Sequence, residues 1–426
     1  MLIIGPMEQN VDKQRCEARE VKKRIAVVTL GVKLADEVRG YTRFRKIAQL
    51  LVEAGFEVDL VTSSFQHWDK AHRDVTREIY SHLPYRVVFI DEPGYSRNLD
   101  LKRIASHRVA AKNLEAHFQA NRGRYSLIYS EIPPNDMALC CARFAQEEGI
   151  PYVADINDLW PEAMRMAIDV PVLSDIAFFP FARDAKKVYR LLDAAVGTSD
   201  EYAARPGLDR SEPYRHITVY VGNDLAAFDE GAARFAEEVC KPEGEFWVTY
   251  AGTLGKSYDI ATLVRAGAAL DGECPGLRVK ILGDGPDRES LEDLARSLGA
   301  PVDFLGYQDY GHMAAWLRKS DITVNSLVKQ APQSIVTKIG DYLASGRPMI
   351  NTGSSPEMRG KVDAGGFGVN VEAEDVALLA GAIKALAEQP GACRIMGTRA
   401  RRLAESQFDQ DVAYQEIVKL VQSLAR

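Results

Sequence analysis

A lysine and an aspartate three positions apart, Lys338 and Asp341, sit in the stretch QSIVTKIGDYLASGRPMI, residues 333–350. At about 100° per residue, Ser334, Lys338, Asp341 and Ser345 fall on one side of a helix and Ile335, Ile339, Tyr342 and Leu343 on another. The pattern predicts a helix over 334–345, stopped by SGRP before a strand at MIN. An i,i+3 ion pair alone contributes only roughly 0.2–0.5 kcal/mol and is a routine surface feature. The same two side chains also suit a different task, a cation for a phosphate and a carboxylate for hydroxyls. Gln333 and Ser334, placed in the first turn after Pro332, would add free backbone N–H groups and the positive end of the helix dipole.

Other loops carry residue types of similar use. AGTLGKS (251–257) follows a strand, and Gly252 and Gly255 would let backbone N–H groups approach a phosphate, with Lys256 adding a point charge; a plain strand-to-helix turn reads equally well. ILGDGPDRES (281–290) has Gly283 and Gly285 after a strand but no third glycine. That disfavours a nicotinamide site and favours structural use, with Pro286 close to a helix start. In VADINDLWPE (153–162), Asp155, Asn157 and Asp158 end a strand and either face a cleft or cap the next helix. EVRGYTRF (37–44) puts Gly40 at the entry to the first helix. His67, in TSSFQHWDK with Lys70, follows another strand and reads as a cleft residue or a lone surface histidine. No HExxH, GxSxG or paired Cys/His arrangement occurs, which removes metalloprotease, serine hydrolase and thiol protease chemistry.

The elements that must position these residues alternate short apolar runs with amphipathic segments, the signature of βαβ units. The first half offers strands at RIAVVTL, FEVDLVTS, RVVFI, SLIYS, YVADI and AAVGTS, with a first helix at GYTRFRKIAQLLVEAG. The second half offers FWVTYA, LRVKILG, VDFLG, DITVN, RPMIN and FGVNV, separated by helices near 259–270, 287–298, 309–319 and 334–345. The runs do not alternate apolar and polar, so both faces of each sheet should be covered. The alanine-rich passage 224–244 reads as a linker. Segments 373–388 and 393–425 read as closing helices that pack back across the first domain. In such open sheets, ligands bind at the carboxyl ends of the strands, where these loops lie.

At 426 residues the chain is too long for one ordinary core. A net charge of −7 and a pI near 5.7, with no basic block, argue against nucleic acid. Six cysteines at 16, 140, 141, 240, 274 and 393 lack CxxC spacing and read as reduced thiols in a cytosolic protein, without a metal site. Residues 1–22 read as a flexible polar tail. No secretory signal or membrane span is expected. The aromatic and basic segment FFPFARDAKKVYRLL (178–192) reads by default as a buried helix with a basic outer side, and otherwise as a peripheral membrane contact.

Taken together, YAGTLGKSYDIATLVRA, VKILGDGPDRESLEDLA, VDFLGYQDYGHMAAWLRKSDITVN and TKIGDYLASGRPMINT resemble, in order and spacing, the family 4 retaining glycosyltransferases, which have the GT-B fold. The resemblance spans 24–425 and is strongest over 246–389. It implies two α/β domains with doubly wound, Rossmann-like parallel sheets facing a cleft: an acceptor domain at 23–222, a linker at 223–244, a nucleotide-sugar domain at 245–395, and helices at 396–426 returning to the first domain. By this resemblance Gly252, Thr253, Lys256, Gly283, Gly306, Tyr307, Ser334, Thr337, Asp341 and Gly40 would hold a nucleoside diphosphate-sugar, Asp341 taking the ribose. FLGYQ (304–308) would cradle the base. Lys338, Asn157 and Gln333 would serve catalysis, and Glu131, Asp155, Asp158 and His67 would face the acceptor.

The family commonly has glutamates where this chain has Gln333 and Asp341, a histidine where it has Asn157, and an arginine where it has Thr253. NDLWPE is similar to the RDLWPE of N-acetylfucosamine-type transferases. The implied activity is metal-independent glycosyl transfer with retention. It would act on a glycan or lipid-linked acceptor of bacterial surface polysaccharide and would need no cofactor beyond the nucleotide-sugar. An epimerase of the same architecture and a non-catalytic sugar-nucleotide-binding scaffold are the alternatives.

Overall fold

The computed structural model describes residues 22–38, 40–97, 100–165, 173–331 and 335–425. Residues 1–21 of the expected tail, Cys16 among them, and Gln333 and Ser334 lie outside the described residues. Two parallel sheets organise the rest. The first runs in the order Arg86–Ile90, Glu57–Ser63, Arg24–Val28, Leu127–Ile132, Tyr152–Ile156, Ala194–Gly197, Arg215–Thr218. The second runs Val302–Gly306, Leu277–Leu282, Phe246–Ala251, Ile322–Asn325, Met349–Asn351, Gly368–Asn370. The central strands are buried almost end to end because helices cover both faces, which is why their sequences are continuous rather than alternating apolar runs.

Each sheet reverses its winding beside its first strand: Arg24–Val28 lies between Glu57–Ser63 and Leu127–Ile132, and Phe246–Ala251 between Leu277–Leu282 and Ile322–Asn325. At such a switch point neighbouring loops diverge and leave a crevice. The loops starting at Thr29 and at Gly252 leave the strands there.

Helix bounds follow local chemistry. The helix Arg43–Glu53 buries Phe44, Ile47, Ala48 and Leu51 at helical spacing. Asp259 caps Ile260–Ala269 by accepting from the Thr262 N–H at 3.2 Å, and Asp309 caps Tyr310–Lys319 by accepting from His312 N–H at 3.1 Å.

Three expectations need correction. The predicted helix 334–345 is a short one, Ile339–Ala344, with Lys338 at its N-cap. The passage 223–244 is not a free linker. It contains the helix Leu225–Arg234, capped by Asp224 and laid against Tyr310–Lys319. The contact is so close that a Cβ on Gly231 would come within 2.5 Å of Gly311 Cα. Its alanines reflect helix propensity rather than a flexible connection. The return to the first domain starts later than residue 396. The helix Pro390–Leu403 stays on the second domain, with Gly397 against the Gly346 carbonyl, and the chain crosses at Ala404–Phe408. Helix Gln415–Leu424 then buries Ile417, Leu420 and Val421 beside Phe44 and Leu51 of the first domain.

Two strands of chain therefore connect the domains, and they are bonded to each other. Asn223 N–H donates to the Phe408 carbonyl at 2.8 Å, Gln410 N–H to Asn223 at 3.0 Å, and Tyr220 stacks on Phe408 at 4.7 Å. Gly222, at φ +60°, approaches the Phe408 carbonyl too closely for any Cβ. Arg43 ties this junction to the first sheet. Its Nε and Nη2 donate to Asp155 at 2.9 and 3.1 Å, and its Nη1 donates to the carbonyls of Val219 and Tyr220 at 3.0 and 3.2 Å.

Cys140, Cys141, Cys240, Cys274 and Cys393 are free thiols. Residues 178–191 of the segment 178–192 fall in the helix Leu173–Leu191. Among the described residues no helix is long and apolar enough to cross a membrane.

Removing one partner of a fully buried ion pair leaves an uncompensated charge. Asp155→Ala is expected to lower the unfolding free energy of the first domain by about 3–5 kcal/mol. Asp36→Ala, which breaks the solvent-exposed pair with Arg77, should leave it within error. Urea unfolding followed by tryptophan fluorescence checks both; equal shifts would refute a special role for Asp155.

Candidate functional site

The first switch point opens onto a cavity of about 1020 Å³ between the domains. Gly31, His67, Glu131, Asn157, Asp158 and Trp160 line it from the first domain, and Lys256, Ser257, Tyr258 and Thr337 close it from the second.

At the first strand's end, Glu131 accepts from Thr29 Oγ1 at 2.5 Å and from Gly31 N–H at 3.4 Å. Burial pushes its carboxyl up to about 7 against those two bonds. Burial also raises Asp158, although its oxygens accept from Leu159 N–H at 2.9 Å and Trp160 Nε1 at 3.2 Å. Asn157 Nδ2 donates to the Asp155 carbonyl at 3.0 Å. His67 Nδ1 meets Tyr95 Oη at 2.5 Å, and burial together with the charges of Lys70 and Arg103 brings its pKa down to about 4. Glu131, Asn157, Asp158 and His67 are thus brought together on the first-domain wall.

Asp155 is not. Its carboxylate is fully buried, and it accepts from Arg43 twice, from Tyr129 Oη at 2.5 Å and from Asn157 Nδ2 at 3.2 Å, so its oxygens are committed to holding the fold. Gly40 does not face the cavity either. At φ +129° it packs on Lys33, where a Cβ would lie 2.9 Å from the lysine's own. The glycine that meets the cavity is Gly31, whose Cβ would stand 3.2 Å from the Glu131 carboxylate and 3.6 Å from Trp68.

On the second domain Lys256 and Thr337 belong to the cavity lining, and the other described donor-side residues form a groove beside it. Lys338 Nζ donates to Tyr250 Oη at 2.9 Å and lies 4.2 and 3.7 Å from the ring centres of Tyr250 and Tyr258. Burial lowers its pKa well below the ordinary lysine value. Gly252 runs directly beneath, and a Cβ there would stand 2.7 Å from the ammonium. Gly252 N–H donates to the Leu282 carbonyl, Gly283 N–H donates to Gly306 at 2.7 Å, and a Cβ on Gly283 would collide with the Gly252 carbonyl. The three glycines therefore form a track of close backbone contacts from Lys338 toward Tyr307, which is 72% exposed, with Arg288 Nη1 beside Gly306. Thr253 supplies the carbonyl that accepts from Tyr250 Oη at 2.8 Å. Lys256 and Thr337 stand exposed at the cavity edge.

Lys338 and Asp341 do not form an ion pair among the described residues. Asp341 accepts from Tyr310 Oη at 2.9 Å and from Asn223 Nδ2 at 3.0 Å, at the junction between domains. Burial raises its pKa to about 6. Ser345 is buried and donates to the Tyr342 carbonyl, so the expected polar stripe is three separate contacts. Among the described residues no group of His, Cys, Asp and Glu is arranged to hold a metal ion.

Residues 245–389 match the family model of glycosyl transferases, group 1. That segment holds the whole glycine track and Lys338. Solved structures share the architecture over nearly the full chain. HepE (Alr3699) of Anabaena, solved in complex with UDP, superposes with TM-score 0.69 at 14% identity, covering 94% of this chain and 100% of that one. Sucrose-phosphate synthase of Thermosynechococcus elongatus gives 0.70 at 17%, covering 95% and 99%. WaaG, a glycosyltransferase involved in lipopolysaccharide biosynthesis, gives 0.64 at 13%, covering 93% and 99%. The chain has the GT-B fold. No curated protein matches it.

Several cavity residues escaped the sequence reading. Gly31 is signalled only by its place just after the first strand. Tyr258, in the cavity lining, and Tyr250, beside it in the groove, flank AGTLGKS and could have been found as the aromatic neighbours of a glycine loop. Trp68, Tyr95 and Trp160 come from separate segments with no spacing to link them, and Arg103 and His107 lie four residues apart on the helix Leu101–Ala120.

The raised pKa of Glu131 sets a stability window. The folded chain holds this proton up to about pH 7, whereas an unfolded glutamate releases it near 4.5, so between those values the unfolded state binds fewer protons and stability falls as pH rises. Glu131→Gln should flatten that part of the Tm-against-pH curve relative to the parent protein. An unchanged slope would mean that the carboxyl is ionised at neutral pH.

Proposed function

We propose that the protein transfers a glycosyl group from a nucleoside diphosphate-sugar to a hydroxyl of an acceptor, with retention, in the assembly of a bacterial surface polysaccharide. The observation carrying this reading is the glycine track ending at Lys338, within the segment that matches the group 1 glycosyl transferases. A diphosphate can approach bare backbone closely, and the ammonium stands beside that backbone at Gly252.

The bond that breaks joins the sugar's anomeric carbon to the terminal phosphate oxygen, and the electron pair leaves with the diphosphate. Negative charge therefore grows beside Lys338. Without an anion, burial favours the neutral amine; a diphosphate at this position restores the cation and makes the interaction strongest as the bond breaks. Retention is consistent with attack on the departing face, where the leaving phosphate accepts the proton of the acceptor hydroxyl. Glu131, Asn157 and Asp158 line the cavity on the acceptor side. No metal ion enters this reading.

HepE has been solved with UDP, with UDP and glucose, and with UDP-glucose, which makes uridine diphosphate sugars the first donors to try. The name of WaaG supports the polysaccharide setting, as does the resemblance of NDLWPE to the N-acetylfucosamine-type subgroup. Asp341 retains the position expected to hold the ribose; to do so it would exchange the hydroxyl of Tyr310 for those of the sugar.

The test is release of nucleoside diphosphate from a panel of nucleotide-sugars, with and without lipid-linked acceptor extracts. Release that rises with acceptor supports transfer; an interconverted sugar would indicate an epimerase, and binding without turnover a scaffold. Lys338→Ala should reduce turnover by roughly 100-fold or more, on the scale of losing one charge-stabilising donor. Lys384→Ala, whose exposed side chain pairs with Glu273, should leave turnover unchanged. Equal effects would overturn the assignment of Lys338.

A further inference from the structure

Two tyrosines form a corner around Lys338. The ring centres of Tyr250 and Tyr258 lie 6.1 Å apart with planes at 61°, and Lys338 Nζ sits 4.2 Å from the first centre and 3.7 Å from the second. The Tyr250 hydroxyl donates its own proton to the Thr253 carbonyl at 2.8 Å, so the oxygen that meets Lys338 at 2.9 Å serves it as an acceptor. One N–H of Lys338 is committed to that oxygen, and the ring face of Tyr258 takes a second. In the charged form a third N–H remains, and among the described residues no carboxylate pairs with this lysine.

The corner is assembled from three parts of the chain. Tyr250 stands in the strand Phe246–Ala251. Tyr258 comes directly after AGTLGKS, where its N–H donates to the Gly255 carbonyl at 2.8 Å and turns the loop back. Lys338 caps the helix Ile339–Ala344, and Tyr342 of that helix clamps the end of the strand, donating to the Ala251 carbonyl at 3.0 Å and accepting from Ala251 N–H at 2.9 Å. This clamp places the lysine backbone relative to Tyr250, and the two rings place its Nζ above Gly252, where a Cβ would stand 2.7 Å away. A long, free lysine side chain would have to be ordered when an anion arrives, and ordering costs affinity. A carboxylate would order it in advance but as a countercharge; a phenol oxygen and a ring face order it and leave its charge available.

We infer that Tyr250 and Tyr258 are positioning residues for the diphosphate of the donor, acting through Lys338 by holding its ammonium over Gly252 with one donor left for phosphate. The inference deepens the proposed function by adding two residues to the donor groove, and it rests on that reading for the identity of the anion.

The test is a double-mutant cycle on the full chain, read by calorimetry. UDP, GDP, ADP and dTDP are titrated separately, and the tightest is carried forward together with its nucleoside. Tyr250→Phe should weaken that nucleoside diphosphate about tenfold, on the scale of one hydrogen bond to a charged group, and leave the nucleoside within about twofold. In a Lys338→Met chain the same substitution should change affinity by less than about twofold, because nothing is left to position. The second background also cancels whatever Tyr250→Phe costs the Thr253 carbonyl. Tyr258→Leu should follow the same pattern, and Tyr258→Phe, which keeps the ring face, should recover most of the loss. Thermal melts show that each variant is folded.

Equal losses in the two backgrounds, or equal losses for nucleoside and nucleoside diphosphate, would overturn the inference, since the tyrosines would then support the fold alone. So would unchanged binding in both Tyr250→Phe and Tyr258→Leu. Failure here is distinguishable from failure of the transferase reading. A loss confined to the Lys338 background, with no acceptor-stimulated release of nucleoside diphosphate, sinks the transferase alone. Acceptor-stimulated release with equal losses in both backgrounds sinks the positioning role alone, and no binding of any of the four nucleotides sinks both.

Discussion

Four parts of the chain meet at the guanidinium of Arg43. Two of its donors engage Asp155 at the end of a central strand, a third reaches the Val219 and Tyr220 carbonyls where the chain leaves the first domain, and its plane lies 5.0 Å from the ring centre of Tyr414, at the start of the returning helix. A lysine, with one compact ammonium, cannot serve a bidentate carboxylate, two carbonyls and a ring together. Burial opposes the charge, and the Asp155 carboxylate outweighs that opposition and raises the arginine's pKa further. Because Asp155 also receives Asn157, the pair fixes the backbone that delivers Asn157, Asp158 and Trp160 to the cavity. One buried contact thus sets both the interdomain junction and the floor of the site.

Burial shifts several ionisable groups of the cavity and its groove toward their neutral forms. Glu131, Asp158 and Asp341 are pushed up, whereas Lys338, His67 and His107 are pushed down. Such groups gain charge most readily when a ligand brings the opposite sign. Tyr250 and Tyr258 give the Lys338 amine a resting place that costs no carboxylate partner. A competing acid there would have to be displaced by an incoming diphosphate.

The sequence exposed the sheet order's raw material well, because strands buried on both faces must be continuous apolar runs. It also exposed Lys338, Asp341 and the glycines by type and position. What it hid was the environment of each. Periodicity placed Lys338 and Asp341 on one helical face, but the helix starts at Ile339, so Lys338 turns to the groove and Asp341 to the junction. Asp155 looked like a cleft residue because it ends a strand; the arginine that claims it lies 112 positions earlier. Alanines at 226–236 suggested a connection, where they make a helix thin enough to lie against Gly311. Trp68, Tyr95 and Trp160 had no local pattern at all, since tertiary contact alone brings them to the cavity.

The glycines show how one residue type carries two meanings. Gly283 and Gly222 are dictated by backbone: a Cβ on either would strike a carbonyl, of Gly252 or of Phe408, near 2 Å, whether or not any ligand is present. Gly252 and Gly306 face side-chain cations instead, Lys338 at 2.7 Å and Arg288 at 3.2 Å. A flexible lysine or arginine can yield to a methyl group where a carbonyl cannot, so packing demands less of these two positions. Their φ angles of +155° and +70° are both ones that side-chain-bearing residues rarely adopt. Backbone conformation therefore favours glycine at both positions, and at Gly252 the missing side chain also leaves room for the Lys338 ammonium.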